Sequence, residues 1–145
     1  MPQFQLDIGS PAAAQLYSDL DAFTQGYVEA MFFTDTGYPE NEELEHATVN
    51  DLAPEAWALI HAECEAFQVL AKDLLDQAYA RDDYSEEQAG RDFWLTRNGH
   101  GAGFWDRDQL QEGELGDALS ALCGWRTPFR GVDLYMGDDG KVYLS

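Results

Sequence analysis

Between Arg97 and Arg107 the chain reads Arg97-Asn98-Gly99-His100-Gly101-Ala102-Gly103-Phe104-Trp105-Asp106-Arg107, with two guanidinium groups flanking a glycine-rich turn. Such a turn exposes backbone N–H groups, and arginines at its base would hold an anion such as a phosphate. Arg97, Asn98, His100 and Arg107 are therefore a candidate site for a small ligand or nucleotide. The signal is weak, because no glycine-lysine phosphate loop and no dinucleotide fingerprint accompanies it. The plainer reading is favoured: Gly99, Gly101 and Gly103 supply positive φ to a hairpin loop while the arginines pair with Asp92, Asp106 or Asp108. His100 has Asn98 and Asp106 to orient it as a general base, but no Ser or Cys nucleophile stands at a recognisable spacing. No catalytic residue is assigned, and an enzyme is not expected.

Other reactive side chains give less. His61 and Glu65 lie one helical turn apart near Cys64, without the HExxH pattern that would begin a zinc site. Gly137-Asp138-Asp139-Gly140 lacks the alternating oxygen ligands of a calcium loop and reads as a type I′-like hairpin turn. No metal or cofactor is expected. Cys64 and Cys123 are too few and too far apart for a disulfide framework, and their apolar contexts mark them as reduced core residues.

The dominant feature is charge: 28 acidic residues stand against 8 basic ones, for a net charge of -20. A magnitude of about 2 to 8 is enough to keep a small folded protein in solution, so the excess calls for another explanation. The chain is 13% aromatic, which separates it from disordered acidic tails. Residues 1–80 hold a net of -14 and residues 81–145 a net of -6. Glu40, Glu42, Glu43, Glu45 and Asp51, with Glu55, Glu63, Asp73 and Asp76 on the helix that follows, form the candidate partner-binding set. B-DNA carries about one charge per 1.7 Å of axis, so 20 charges match roughly 34 Å of duplex, or about 10 base pairs. Such a surface repels nucleic acid and anionic lipid directly and complements a lysine- and arginine-lined groove.

These residues must be carried by elements legible in the pattern. Ser10 and Pro11 open a first helical stretch, with Leu16, Leu20, Phe23, Tyr27 and Met31 following until the turn residues 34–39, which fits one helix bent near Gly26 or two short ones. Residues 40–50 form an acidic connection. Trp57, Ile60, Cys64, Phe67, Ala71, Leu74 and Ala78 then repeat at spacings of three and four, which predicts one long amphipathic helix from Pro54 to Arg81, roughly 40 Å at 1.5 Å per residue. Its seam also fits a homodimer, though internal packing accounts for it better. Ser85 caps a short helix to about Asp92. Phe93–Arg97 and Phe104–Asp106 are predicted as a hairpin with a six-residue loop, Leu115–Leu122 as an amphipathic helix, and 132–136 with 141–144 as a closing hairpin. The expectation is a single domain over 1–145, helical and acidic to residue 81 and mixed over 82–145. Its class is α+β, N-terminal helices packed on a small antiparallel sheet of four strands. No span of apolar residues is long enough to cross a membrane, and no secretory signal opens the chain, so the cytoplasm is the expected compartment.

The segment from Phe93 to Arg107, with Val132–Leu144 after it, resembles a segment of small acidic proteins of bacteriophages and other mobile elements, over about the last 55 residues. The resemblance implies a phage or mobile-element origin, action inside a host cell, and inhibition of host defence, either CRISPR complexes or restriction enzymes. It implies no catalytic residue. Joined to the charge, it makes the expected function that of an acidic DNA mimic whose partner is the basic DNA-binding surface of a host defence complex.

Overall fold

Residues 17–35, 47–124 and 126–145 are described by a computed structural model. Five α-helices and one antiparallel strand pair make up the regular structure of these residues: α1 (Ala22–Asp35), α2 (Pro54–Leu70), α3 (Lys72–Tyr79), α4 (Glu86–Arg97), α5 (Leu115–Ser120), β1 (Leu134–Met136) and β2 (Val142–Leu144). Short 3₁₀ turns at Val49–Asp51, Phe104–Asp106, Asp108–Leu110 and Glu112–Glu114 join them. The arrangement is α+β, as the pattern implied. The predicted start of the first helix at Ser10, and the acidic residues Glu40, Glu42, Glu43 and Glu45, lie outside the described residues.

α1 and α4 make the most extensive helix pairing. It is set by two glycines in helix interiors, positions that normally cost about 1 kcal/mol relative to alanine. A Cβ on Gly26 would sit 2.0 Å from the Glu87 carbonyl oxygen, and one on Gly90 would sit 1.8 Å from that of Phe23. Each backbone therefore occupies the space that a side chain would need. The crossing brings Phe23 and Tyr27 of α1 against Phe93 and Trp94 of α4, with ring centroids 5.3–5.8 Å apart.

α2 closes this pair from a third side. Phe67 stacks on Phe93 at 4.1 Å between centroids and also meets Phe23, Phe104 and Phe129. Trp57, Ile60, Cys64, Phe67, Ala71 and Ala78 are buried, as the seam required. The seam is not one straight helix, however. The backbone at Ala71 leaves helical geometry (φ -96°, ψ 12°), so α2 and α3 are separate helices and the second ends at Tyr79 rather than Arg81. The break rotates the apolar face: Leu75 is buried and Leu74 only half-buried, while Val69 and Leu70 are pushed into solvent.

The larger correction concerns residues 93–106. Phe93–Arg97 is not a strand but the second half of α4, and Phe104–Asp106 is a 3₁₀ turn. The aromatic run has strand propensity, but Ala89, Gly90, Phe93, Trp94 and Arg97 are all buried on one helical face, so packing against α1 and α2 overrides the local preference. Ser85 caps α4 by accepting from the Gln88 amide, whereas the Gln88 side chain reaches forward to Asp92 instead of back to the cap. The glycine-rich residues form the exit of α4 rather than a hairpin loop: Gly99 and Gly101 take φ of 65° and 77°. Asn98 holds that exit in place, donating to the Trp94 carbonyl and accepting from the Val132 amide.

Consequently the sheet has two strands among the described residues, not four, with Leu134 opposite Leu144 and Met136 opposite Val142. Its turn is type I with a left-handed Gly140 (φ 79°) rather than type I′, since Asp138 and Asp139 keep negative φ and Gly140 donates to the Gly137 carbonyl. The hairpin is tied to the helices through the Ala53 amide, which donates to the Val142 carbonyl at 2.9 Å. Among the described residues no helix is long and apolar enough to cross a membrane.

Replacing Gly90 with alanine is expected to lower stability by about 3 kcal/mol or more, against the gain of about 1 kcal/mol that helix propensity alone gives. Urea denaturation followed by circular dichroism measures it; an unchanged or higher midpoint would refute the crossing.

Candidate functional site

The placement of charge begins with α4, which carries Arg91, Asp92 and Arg97 on or beside its buried face. Arg107 donates from Nε to the Asp92 carboxylate at 2.8 Å and from a terminal nitrogen at 2.7 Å. The Tyr84 hydroxyl (2.8 Å) and the Gln88 amide (3.1 Å) donate to the same carboxylate, which is wholly buried. Burial pushes the Asp92 carboxyl above the ordinary range, opposed by the bonds from Arg107, Tyr84 and Gln88. Burial and the neighbouring Asp92 raise the Tyr84 phenol, which stays protonated as a donor. Burial disfavours the charge on Arg107, but the Asp92 carboxylate outweighs it and holds the guanidinium charged.

Arg97 is also internal. Its Nε donates to the Arg130 carbonyl at 2.8 Å, one terminal nitrogen donates to the Tyr27 hydroxyl at 3.2 Å, and the other lies 3.5 Å from Glu63. The guanidinium also stands 5.1 Å from the centre of the Phe93 ring. Arg91 bonds Glu29 of α1 at 2.9 Å, and Lys72 bonds Asp76 at 2.9 Å. Arg81 points its two terminal nitrogens at the Gln109 and Glu112 carbonyls. Lys72, Arg81, Arg91, Arg97 and Arg107 therefore all engage the fold itself.

This geometry separates the residues that the glycine-rich turn had grouped. Arg107 takes the Asp92 partner that the plainer reading offered it, Arg97 takes Glu63 and backbone instead, and Asn98 caps α4. His100 stacks on Trp94 with 6.5 Å between ring centres. The four do not converge on an open anion site. Burial raises both thiols, Cys123 to about 12 and Cys64 further, so both are protonated and free rather than nucleophilic.

Of the acidic candidates, Glu55 and Asp73 are exposed. Glu63 is drawn to Arg97, Asp76 to Lys72, and Asp51 accepts from the Thr48 amide. His61 and Glu65 line a cleft of about 550 Å³ with Asp19, Asp21, Thr24, Gln68, Val69 and Lys72. There burial would raise Asp21, but bonds from Thr24 and Gln68 prevail and hold its carboxyl below the usual value. Among the described residues no group of acidic, histidine or cysteine side chains has the arrangement of a metal site.

A second acidic surface went unread in the sequence. Arg81 ties the end of α3 to the 3₁₀ turns, and Gln109 donates to the Asp83 carbonyl, so Asp82 and Asp83 are held against the segment that carries Asp106, Asp108, Glu112 and Glu114. All six are exposed. The signal was present: residues 106–117 contain five acids and one base, but averaging over residues 81–145 diluted it with arginines that the fold turns inward. Comparisons with protein families, with curated proteins and with solved structures give no match.

Replacing Asp92 with Asn, or Arg107 with Met, should destabilise the fold by about 3–5 kcal/mol, because each leaves a desolvated partner behind. The double replacement Asp92→Leu with Arg107→Met should cost less than the two single losses summed, but not recover fully, because the Tyr84 hydroxyl and the Gln88 amide lose their acceptor. A double-mutant cycle by chemical denaturation decides; additive losses would show that the two side chains do not act as a pair.

Proposed function

We propose that the protein is an inhibitor of a host defence complex that works as an acidic DNA mimic, occupying a lysine- and arginine-lined nucleic-acid-binding surface. The observation that carries the reading is the inward placement of cations. Arg91, Arg97 and Arg107 pair with Glu29, Glu63 and Asp92, and Arg81 is held by carbonyls, so these four bases are engaged within the fold while Asp82, Asp83, Asp106, Asp108, Glu112 and Glu114 are exposed. The whole chain retains its net charge of -20. A partner groove that binds DNA through phosphate contacts meets a comparable charge density here. The resemblance of residues 93–107 to phage and mobile-element proteins supports CRISPR effectors first and restriction enzymes second as targets. The reading needs no catalytic residue, metal or cofactor.

The test is a competition measurement with purified CRISPR effectors and restriction enzymes. The protein should lower target-DNA binding by a susceptible complex, excess DNA should displace the protein, and both effects should weaken as salt rises. A ternary complex holding protein and DNA together, or inhibition indifferent to salt, would reject mimicry.

A further inference from the structure

We infer that the contact face is the rim formed by residues 82–83 and 105–114, and that its occupant is an arginine-bearing basic protein segment anchored on Trp105. The inference rests on the reading of the protein as an acidic competitor and names the surface that acts.

Trp105 carries it. Its neighbours Gly103, Phe104 and Leu110 are buried, yet its own side chain is 44% exposed on a segment fixed at several points. Behind it, a Cβ on Gly116 would meet the Phe104 carbonyl at 2.4 Å, so α5 packs directly on this turn. To one side Arg107 locks into Asp92, and across the rim Arg81 grips two carbonyls. The indole is therefore presented on a braced support, which limits the ordering entropy lost on binding. Large aromatics held this way are the side chains that most often anchor protein interfaces.

Charge decides the occupant. Asp106 and Asp108 follow the indole in sequence, and Asp82, Asp83, Glu112 and Glu114 complete the exposed rim. The two arginines of this region are already engaged, Arg107 with Asp92 and, at longer range, Asp106, and Arg81 with the Gln109 and Glu112 carbonyls, so the six exposed carboxylates outnumber them. An exposed indole on a segment rich in carboxylates favours a guanidinium, which stacks on the ring while its N–H groups are drawn to acidic side chains of the same segment. Of the other exposed apolar side chains, Tyr135 stacks on Tyr143, Val69 and Leu70 are aliphatic, and Phe33 offers a phenyl ring, a weaker partner for a cation than an indole.

The experiment is an NMR titration of the isotope-labelled full chain with an arginine-rich protamine peptide at physiological salt. The Trp105 indole N–H and the amides of 106–114 should shift saturably. Trp105→Ala should weaken binding about fivefold, while Trp105→Phe, which keeps an aromatic face, should lose less. Neutralising Asp106 and Asp108 to Asn should weaken binding further, and reversing Glu40, Glu42, Glu43 and Glu45 to Lys should weaken it less than the rim changes do. Binding that is unaffected by Trp105→Ala, or shifts centred away from the rim, would overturn the assignment while leaving acidic competition standing. Failure of the unaltered chain to bind the peptide at all would overturn both.

Discussion

The crossing of α1 and α4 through Gly26 and Gly90 is the constraint on which the rest of the structure depends. Backbone oxygens lie where side chains would begin, so the two helices approach closely enough for their aromatic rows to interlock. That approach fixes the rotation of α4, and the rotation decides where its charges go. Arg91 meets Glu29 of α1, Arg97 meets the Tyr27 hydroxyl, and Asp92 turns toward Tyr84 and Arg107. A helix placed farther out would leave these groups in water, where an ion pair contributes little.

From this packing follows the division of charge. Burying an arginine requires partners for its donors, and Arg97 finds a carbonyl, a phenol, a carboxylate and a ring face. Arg107 in turn satisfies a carboxylate that is wholly buried. Such pairs are weak as net sources of stability but costly to break, and they hold the surrounding segments in one arrangement. The outer surface is acidic because acids outnumber bases 28 to 8 and three of the few bases are committed to internal pairs. The buried network and the acidic rim are thus two sides of one arrangement: the Asp92–Arg107 bond that satisfies the core also braces the turn carrying Trp105.

The sequence announced the α+β class, the α2–α3 seam, the Ser85 cap, the reduced thiols and the closing hairpin, because each rests on local periodicity or on one residue's chemistry. It misread Phe93–Arg97 as a strand. Aromatic and β-branched residues favour strands only when nothing larger opposes them, and here the opposing force is the three-dimensional fit of Phe93 and Trp94 against Tyr27 and Phe67. The break at Ala71 was equally hidden, since the three-four spacing continues across it. The pairing of Arg107 with Asp92 was within the options that the sequence offered. The partner of Arg97 was not, because Glu63 lies 34 positions away and is brought near only by the tertiary fold. The rim around Trp105 escaped for a related reason: its carboxylates come from two separate stretches that Arg81 joins.

The fold engages Arg81, Arg91, Arg97 and Arg107 within itself and leaves an acidic exterior. Residue-resolved modification of the native protein by phenylglyoxal, mapped by mass spectrometry, tests it most directly. Arg97 and Arg107 should resist modification until the protein unfolds, while the exposed Arg130 reacts readily. Modification of Arg97 and Arg107 in the native state at the rate of Arg130 would contradict the account.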